Sequence, residues 1–322
     1  MKKPLLLWTA ASGFFEKDLN ILRKKYNPII KPKINKKETI KILKNNIFKV
    51  WVIDTCPNFE INKEILDNCP SLLVLASPAT GSTHLDNKYI IKKKIKYISI
   101  RNRKIINKIY SSSEHAFTLL LASIRNLRPG MSSAFSGEWR NNEKNLRTFE
   151  LSEKKLGLIG FGRIGKNLSR YALAFGLKVG FFDPYKNSKN SKIKKFKKIR
   201  DLYRWSNIIS IQVHLDEKTK KLINEDLISS CKMQKTIVNI SRGEIVDEKS
   251  IIKNIKNGKI LKYATDVITD EQNKNKINEN PIIKFGKKDS RVIVTPHTGG
   301  LSYDSEKKAA MDIISQLIKL KI

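Results

Sequence analysis

The sequence predicts an α/β fold built from two doubly wound parallel sheets. Short apolar runs alternate with stretches of helical periodicity along the whole chain, a pattern typical of parallel strands joined by helices. The length of 322 residues fits two domains. One apolar run near the middle of the chain leads into a glycine-rich turn that opens a helical pattern, as βαβ units do.

Ten apolar runs are predicted as buried strands. The first also lies in a segment, MKKPLLLWTAASGFF, that resembles a signal peptide, but its apolar core is at the lower limit for one, and the alternation downstream favours a strand. No apolar run reaches the ~18 residues that a membrane-spanning helix needs. The predicted strands are Leu5–Thr9, Val50–Asp54, Leu72–Ser77, Tyr97–Ile100, Leu156–Ile159, Leu177–Phe182, Ile208–Val213, Thr236–Ile240, Tyr263–Val267 and Val292–Thr295.

The most apolar helix is predicted at Ala116 to Asn126. The run SSSE before it predicts a capping box with Ser111 as N-cap and Glu114 at N3, and the following Arg-Pro-Gly predicts its end. Because residues 115–124 are apolar nearly all round, this helix is expected either to be buried in one chain or to form a surface between two copies.

Lysine and arginine outnumber acidic residues by 64 to 30, which gives a formal net charge of +34. The lysines recur in every segment beside isoleucine and asparagine, rather than with arginine and aromatics on one platform as in a nucleic-acid groove. This distribution favours lysines that lie on a solvated surface and were enriched by the codons of an AT-rich genome. No nucleic-acid or membrane partner is therefore expected. The positive field would still attract an anionic substrate.

The three cysteines are an odd number with no C-x-x-C spacing, so neither a disulfide framework nor a metal site is predicted. A reducing, cytoplasmic setting is the simplest interpretation.

A G-x-G-x-x-G turn, Gly160-Phe161-Gly162-Arg163-Ile164-Gly165, joins a predicted strand to a helical pattern. The first glycine permits the tight turn, the second lets the backbone approach a pyrophosphate, and the third lets helix and strand pack closely. The next strand, KVGFF, ends in Asp183, where the acid that binds an adenosine ribose is expected. The segment therefore predicts a dinucleotide site.

Five motifs in this order resemble the D-isomer-specific 2-hydroxyacid dehydrogenase family, which includes phosphoglycerate dehydrogenase. They are LGLIGFGRIG, FFDPY, VNISRGEIVDE, ATDVITDE and VIVTPHTGG, and SPATGSTHLD, SSSEHAFTLLLA and GEWR upstream are also similar. The resemblance is strong from about residue 70 to about residue 312, and the first 70 residues match only in pattern.

The resemblance implies two Rossmann-like lobes. A doubly wound NAD-binding domain at 105–297 would be inserted in a smaller flavodoxin-like substrate domain formed by 1–104 and 298–322. It also implies NAD as cofactor, a small anionic D-2-hydroxy acid or its 2-keto acid as substrate, and a homodimer formed through the NAD-binding domain.

Hydride transfer between an alcohol and a ketone needs a base, a cation and a carboxylate that tunes the base. His297 follows the strand VIVTP and matches the family's catalytic histidine. Arg242 follows TIVNIS, at a strand end where α/β ligands bind, and matches the family's substrate arginine. Glu271 matches the carboxylate that pairs with the histidine, although Gln272 stands where a proline is common.

The resemblance also implies further binding residues. Thr80 and Gly81 would offer backbone N–H groups to the substrate carboxylate, and Asp266 would face the nicotinamide carboxamide. His214 is favoured as a wall residue without chemistry, and His115 as structural. The remaining cofactor residues expected by position are Thr219, Ser241, Gly299 and Gly300, together with His297.

Three other functions are possible. Formate dehydrogenases resemble this chain but have glutamine where Glu271 stands, which argues against that activity. An NAD-sensing, corepressor-like binding protein is the alternative of another class, and the complete set of Arg242, Glu271 and His297 favours the enzyme. A nucleic-acid binder comes third. Phosphoglycerate-specific relatives often have arginine where Ser77 stands, so the substrate acid stays open.

Overall fold

The computed structural model describes residues 2–11, 16–55, 57, 59–82, 84–100 and 102–321. The chain divides into two compact units, and the first is formed by segments on both sides of the second. The first unit consists of Met1–Ile109, Gln272–Lys274 and Leu301–Ile322, and the second of Tyr110–Glu271 and Asn275–Gly300. The sequence placed the divisions at 104 and 297.

Each unit contains one parallel sheet. The strands of the first unit are β1 (Leu5–Trp8), β2 (Asn27–Ile30), β3 (Phe48–Val52), β4 (Val74–Ser77) and β5 (Lys96–Ser99). The strands of the second unit are β6 (Lys155–Ile159), β7 (Lys178–Phe182), β8 (Ile193–Phe196), β9 (Ile208–Ile211), β10 (Lys235–Asn239), β11 (Ile260–Thr265) and β12 (Val292–Val294).

Helices connect these strands. They are α1 (Glu16–Leu19), α2 (Lys36–Lys44), α3 (Lys63–Leu66), α4 (Asn87–Lys92), α5 (Arg103–Ile106), α6 (Ser111–Ile124), α7 (Leu127–Phe135), α8 (Glu143–Leu146), α9 (Arg163–Ala174), α10 (Ile199–Trp205), α11 (Glu225–Ser229), α12 (Glu248–Lys256), α13 (Pro281–Lys288) and α14 (Tyr303–Lys319). Short 3-10 helices occur at Asn20–Lys24, Gly243–Ile245 and Lys274–Glu279. Within the described ranges, no helix has the length and apolar character that crossing a bilayer requires.

The order of strands confirms the predicted fold class. The first sheet runs β2-β1-β3-β4-β5, the flavodoxin-like order, and the second runs β12-β11-β10-β9-β6-β7-β8, which is a Rossmann order with one added strand. In the second sheet the order reverses between β6 and β9. Ligands of such sheets bind outside the carboxyl ends of the strands at this reversal.

All ten predicted strands are present, with ends that shift by a few residues, and two more occur that the sequence did not indicate. Both, β2 and β8, lie at sheet edges. In β2, Pro28 lacks a backbone N–H, which only an edge strand tolerates well. In β8 only the two end residues, Ile193 and Phe196, are buried, so no continuous apolar run signals a strand.

The predicted capping box of α6 is wrong. The helix begins at Ser111, its N-cap is Tyr110, and no side chain caps it. Ser111 is therefore the first residue of the helix rather than its N-cap. The Ser113 hydroxyl donates a hydrogen bond to the Tyr110 carbonyl, at 2.7 Å.

The predicted end of α6 also differs. The helix ends at Ile124, and Asn126 adopts a left-handed conformation (φ 49°) that starts α7. Pro129 lies in the first turn of α7, where proline needs no N–H partner. The Arg-Pro-Gly sequence thus begins a helix rather than forming a terminating turn.

Most of the apolar surface of α6 is buried inside the second unit. The helix packs on α9, β10 and β11, and Ala116, Phe117, Leu119 and Leu120 belong to one of that unit's hydrophobic clusters. Burial within one chain therefore accounts for most of the apolar surface of this helix.

Candidate active site

The glycine turn lies at the reversal of strand order, and its geometry fits a pyrophosphate. Gly160 has φ 96°, and a Cβ atom there would lie 2.6 Å from the Gln212 carbonyl oxygen in the loop after β9. A Cβ on Gly165 would strike the Gly160 carbonyl oxygen, whereas one on Gly162 would meet nothing within 4 Å. The backbone at Gly162 is therefore open to a ligand, at the N-terminus of α9, where free N–H groups favour anions.

Asp183 is held against this turn. It follows β7, and its two carboxylate oxygens accept hydrogen bonds from the Phe161 N–H and the Tyr185 N–H, each at 2.8 Å. A carboxylate has about four acceptor positions, so both oxygens keep room for ribose hydroxyls. In the same turn Arg163 is half-buried, and burial lowers the pKa of its guanidinium.

His297 and Glu271 form a hydrogen-bonded pair. His297 follows β12, and its Nδ1 lies 2.7 Å from Glu271 Oε1. The side chains are only 30% and 20% exposed, so the pair is shielded from much of the solvent. The backbone of His297 is left-handed (φ 54°), and its N–H donates to the Asp266 carbonyl at 2.8 Å.

Arg242 follows β10 and is half-buried. Its Nη1 donates to the Ser241 carbonyl at 2.6 Å. The next residue, Gly243, touches the backbone at Ile268 so closely that any Cβ would collide with it. The turn that carries Arg242 is thereby fixed against the loop that leads to Glu271.

Asp266 lies at the end of β11 and is nearly fully buried. Its Oδ1 accepts from the Thr298 N–H at 2.9 Å and from the Thr295 hydroxyl at 2.6 Å, and its Oδ2 accepts from the Gly299 N–H at 2.8 Å. Burial alone would raise the pKa of this carboxyl, but hydrogen bonds from His115, Thr295 and these two N–H groups outweigh burial and lower the pKa. Asp266 is therefore ionised near neutral pH.

The sequence interpretation of His115 as merely structural missed its contact with this carboxylate. His115 Nε2 lies 3.1 Å from Asp266 Oδ1 and 2.9 Å from the Thr295 hydroxyl oxygen. No local pattern predicts this contact, because the two residues are 151 positions apart.

The remaining expected residues of the second unit line the same edge of the sheet. The buried Ser241 donates to the Ile211 carbonyl at 3.0 Å. Thr219 donates to the His214 carbonyl at 2.6 Å, which closes the loop after β9 and leaves the His214 side chain exposed. Gly300 is open to solvent.

Thr80 and Gly81 belong to the first unit. They follow β4, at the carboxyl edge of its sheet, and Thr80 is exposed. Their expected role toward a substrate stays a prediction.

Known proteins are similar to this chain in sequence. The chain is 30% identical to a D-3-phosphoglycerate dehydrogenase of Methanocaldococcus jannaschii over 81% of its own length and 47% of that relative, so it spans about half of that protein. It is 28% identical to a glyoxylate reductase of Pyrococcus furiosus, over 81% of this chain and 76% of the relative.

The fold is that of a D-lactate dehydrogenase from Aquifex aeolicus solved with NAD and lactic acid, with a TM-score of 0.79, 23% identity, and coverage of 98% of this chain and 94% of the other. The family model for the NAD-binding domain of D-isomer-specific 2-hydroxyacid dehydrogenases matches residues 117–299, which include the glycine turn, Asp183 and the paired His297 and Glu271. More than half of the chain thus matches that model, and the chain belongs to the D-isomer-specific 2-hydroxyacid dehydrogenase family.

Proposed function

We propose that this chain is an NAD-dependent oxidoreductase that interconverts a D-2-hydroxy acid and its 2-keto acid. The observation that carries the proposal is the 2.7 Å contact of His297 Nδ1 with Glu271 Oε1, at the carboxyl edge of the sheet that bears the glycine turn. A histidine oriented by a carboxylate is a general acid and base.

His297 and Arg242 have distinct roles in this proposal. Because Nδ1 of His297 is bonded to Glu271, the proton exchanged with the substrate oxygen is carried on Nε2. The carboxylate of Glu271 stabilises the imidazolium that exists when that proton is bound. The planar guanidinium of Arg242 binds the substrate carboxylate and polarises the carbonyl.

NAD, when bound, supplies the carbon that takes up or gives back the hydride. The glycine turn and the start of α9 would bind its pyrophosphate, and Asp183 its adenosine ribose. Asp266 has one acceptor position left on Oδ2, since Oδ1 is occupied by Thr298, Thr295 and His115, so Oδ2 is the oxygen that would receive the carboxamide.

The substrate class in this proposal is a small 2-keto acid. Curated relatives of this chain are named glyoxylate reductase, hydroxypyruvate reductase and D-3-phosphoglycerate dehydrogenase. Ser77, where an arginine would bind a phosphate, is fully buried, which favours a substrate without one.

A panel of 2-keto acids assayed with NADH tests the proposal. Turnover of at least one acid is expected, and His297→Ala should lower kcat by about 10²–10⁴-fold, as loss of a general acid does, with NADH binding retained in a fluorescence titration. NADH binding by the unmodified protein without turnover of any acid would favour the corepressor-like sensor. Near-normal turnover by the variant would remove His297 from the mechanism.

We also infer a homodimer formed through the second unit. With most of α6 buried, an exposed apolar stripe lies on α7, where Leu127, Met131 and Phe135 recur every four residues and are 51%, 49% and 85% exposed. Residues at this spacing share one face of a helix. Trp139 and Phe149, from the same part of the chain, are 70% and 71% exposed.

The cytoplasm is the proposed location. Of the two cysteines that the structure describes, Cys69 is buried and Cys231 is half-buried, and neither forms a disulfide. Cys56 lies outside the described residues.

A further inference from the structure

The contacts of His115 determine which of its nitrogens carries a proton. Asp266 is ionised and can only accept hydrogen bonds, and the single hydroxyl proton of Thr295 is directed to Asp266 Oδ1 at 2.6 Å. His115 Nε2 faces both oxygens, at 3.1 and 2.9 Å, and must therefore be the donor. The Nε2–H is shared between the carboxylate and the hydroxyl oxygen.

The carboxylate that His115 holds in turn organises the backbone around His297. Asp266 accepts the N–H groups of the two residues after His297, Thr298 and Gly299. Successive N–H groups that converge on one anion in this way form a nest, which a left-handed residue makes possible. The orientation of the Asp266 carboxylate therefore determines the path of the backbone that carries the catalytic imidazole.

Packing leaves little room for Asp266 and His115 to rearrange. Asp266 is 3% and His115 20% exposed at the side chain. A Cβ on Gly299 would lie 2.9 Å from Asp266 Oδ2 and 3.3 Å from His115 Cδ2, so glycine is what lets the backbone approach both side chains.

We propose that His115 is a positioning residue for the proton transfer by His297: its Nε2–H fixes the Asp266 carboxylate and the Thr295 hydroxyl, and through them the backbone that carries the imidazole. The proposal rests on the oxidoreductase function proposed above. It gives His115 a part in the reaction although it touches neither His297 nor Glu271 among the contacts described.

A pair of substitutions separates the donor from the bulk of the ring. His115→Met keeps an apolar side chain of similar size and removes the donor, while His115→Gln places an amide N–H at a similar reach. For His115→Met, kcat of keto-acid reduction should fall about ten- to a hundred-fold, because displacement of a catalytic group by about 1 Å has effects of this size. KM should change much less, and His115→Gln should restore most of the loss.

Thr118→Ala, an exposed position on the same helix, is the matched control and should leave kcat unchanged. If His115→Met does not fold, Thr295→Val is tested in its place. This variant removes the hydroxyl of the same network, and kcat should fall by the same factor. Equal loss in the Met and Gln variants, or unchanged kcat in both, would overturn the proposal.

Histidine-selective ¹⁵N NMR gives a readout that does not depend on turnover. The chain has four histidines, so each ring can be assigned by substitution. The protonated nitrogen of His115 should be Nε2, and the ring signals of His297 should shift in His115→Met and stay in place in Thr118→Ala. A His115 ring with Nδ1–H alone, or an unmoved His297 signal, would overturn the inference even if the activity is confirmed, whereas absence of turnover with the expected spectra would contradict only the proposed function.

Discussion

At the scale of single residues, Asp183, which is proposed to bind the adenosine ribose, is held in place by the adjoining glycine turn. Its carboxylate is fixed by two backbone N–H groups, one of them inside the glycine turn. It cannot rotate away from a neighbouring anion without breaking both bonds. This makes Asp183 a rigid negative charge at the position expected for the adenosine ribose.

We therefore expect a strong preference for NADH over NADPH. Two like charges at ~4 Å interact by about 4 kcal/mol at an effective dielectric constant near 20, and half of that corresponds to about thirty-fold discrimination. The ratio of kcat/KM for the two cofactors should thus exceed about ten. Asp183→Asn, which removes the charge and keeps an acceptor, should narrow it. The exposed Lys186 and Lys189 follow closely, and equal use of both cofactors would show that they determine the choice.

The candidate site residues were predicted from motifs that follow one another in a set order along the sequence. Arg242, Glu271 and His297 could be proposed because each follows a recognisable strand within a motif, and the structure does bring Glu271 and His297 into contact. His115 could not be predicted, since its role arises from a contact between a helix and two strand ends that are remote in sequence.

At the scale of elements, α6 is mostly buried within its own unit, whereas α7 carries an exposed apolar stripe. The hydrophobicity of α6 was evident, but whether it meets its own chain or a second copy depends on the packing of α9, β10 and β11 against it. The central strands could be predicted because they are buried on both faces. The edge strands β2 and β8 could not, because Pro28 in β2 and the two exposed lysines inside β8 leave neither with a continuous apolar run.

The stripe on α7 should hold the homodimer together. Phe135→Glu places a charge in this apolar stripe, and burial of an unpaired charge in the proposed interface is strongly unfavourable. Light scattering should give about twice the chain mass of 37.0 kDa for the unmodified protein and about one chain mass for this variant. Lys249→Glu, an exposed change at the start of α12, is the control and should leave the dimer intact. A monomeric unmodified protein at micromolar concentration would contradict the dimer.

At the scale of the whole molecule, the two sheets could be predicted as parallel and doubly wound, but the order of their strands could not be read from apolar runs. The order matters most for function, because ligands of such sheets bind where the order reverses, which here lies between β6 and β9. The alternation of strands and helices is visible along the sequence. The order of strands in a sheet depends on pairing between segments that are far apart in the sequence.

The net charge of +34 should affect how fast an anionic substrate arrives. Raising the ionic strength from about 10 mM to about 150 mM shortens the Debye length from ~30 Å to ~8 Å, which weakens attraction at long range. We expect kcat/KM for the keto acid to fall several-fold over this range, while kcat changes by less than about two-fold. A parallel fall of both would indicate that salt acts on the protein itself rather than on encounter.

The left-handed backbone of His297 should lower the stability of the folded protein, although the proposed mechanism needs the imidazole at this position. An L-residue other than glycine in this region costs about 1–2 kcal/mol, so this backbone conformation favours glycine. Ordinarily a glycine is less stable than an alanine by about 0.5–1 kcal/mol within regular structure. Here the order should reverse: His297→Gly should unfold at higher urea concentration than His297→Ala, although both lose the imidazole and should show the same large fall in kcat. If the alanine variant proved the more stable of the two, the left-handed conformation at His297 would not be the one that the folded protein adopts.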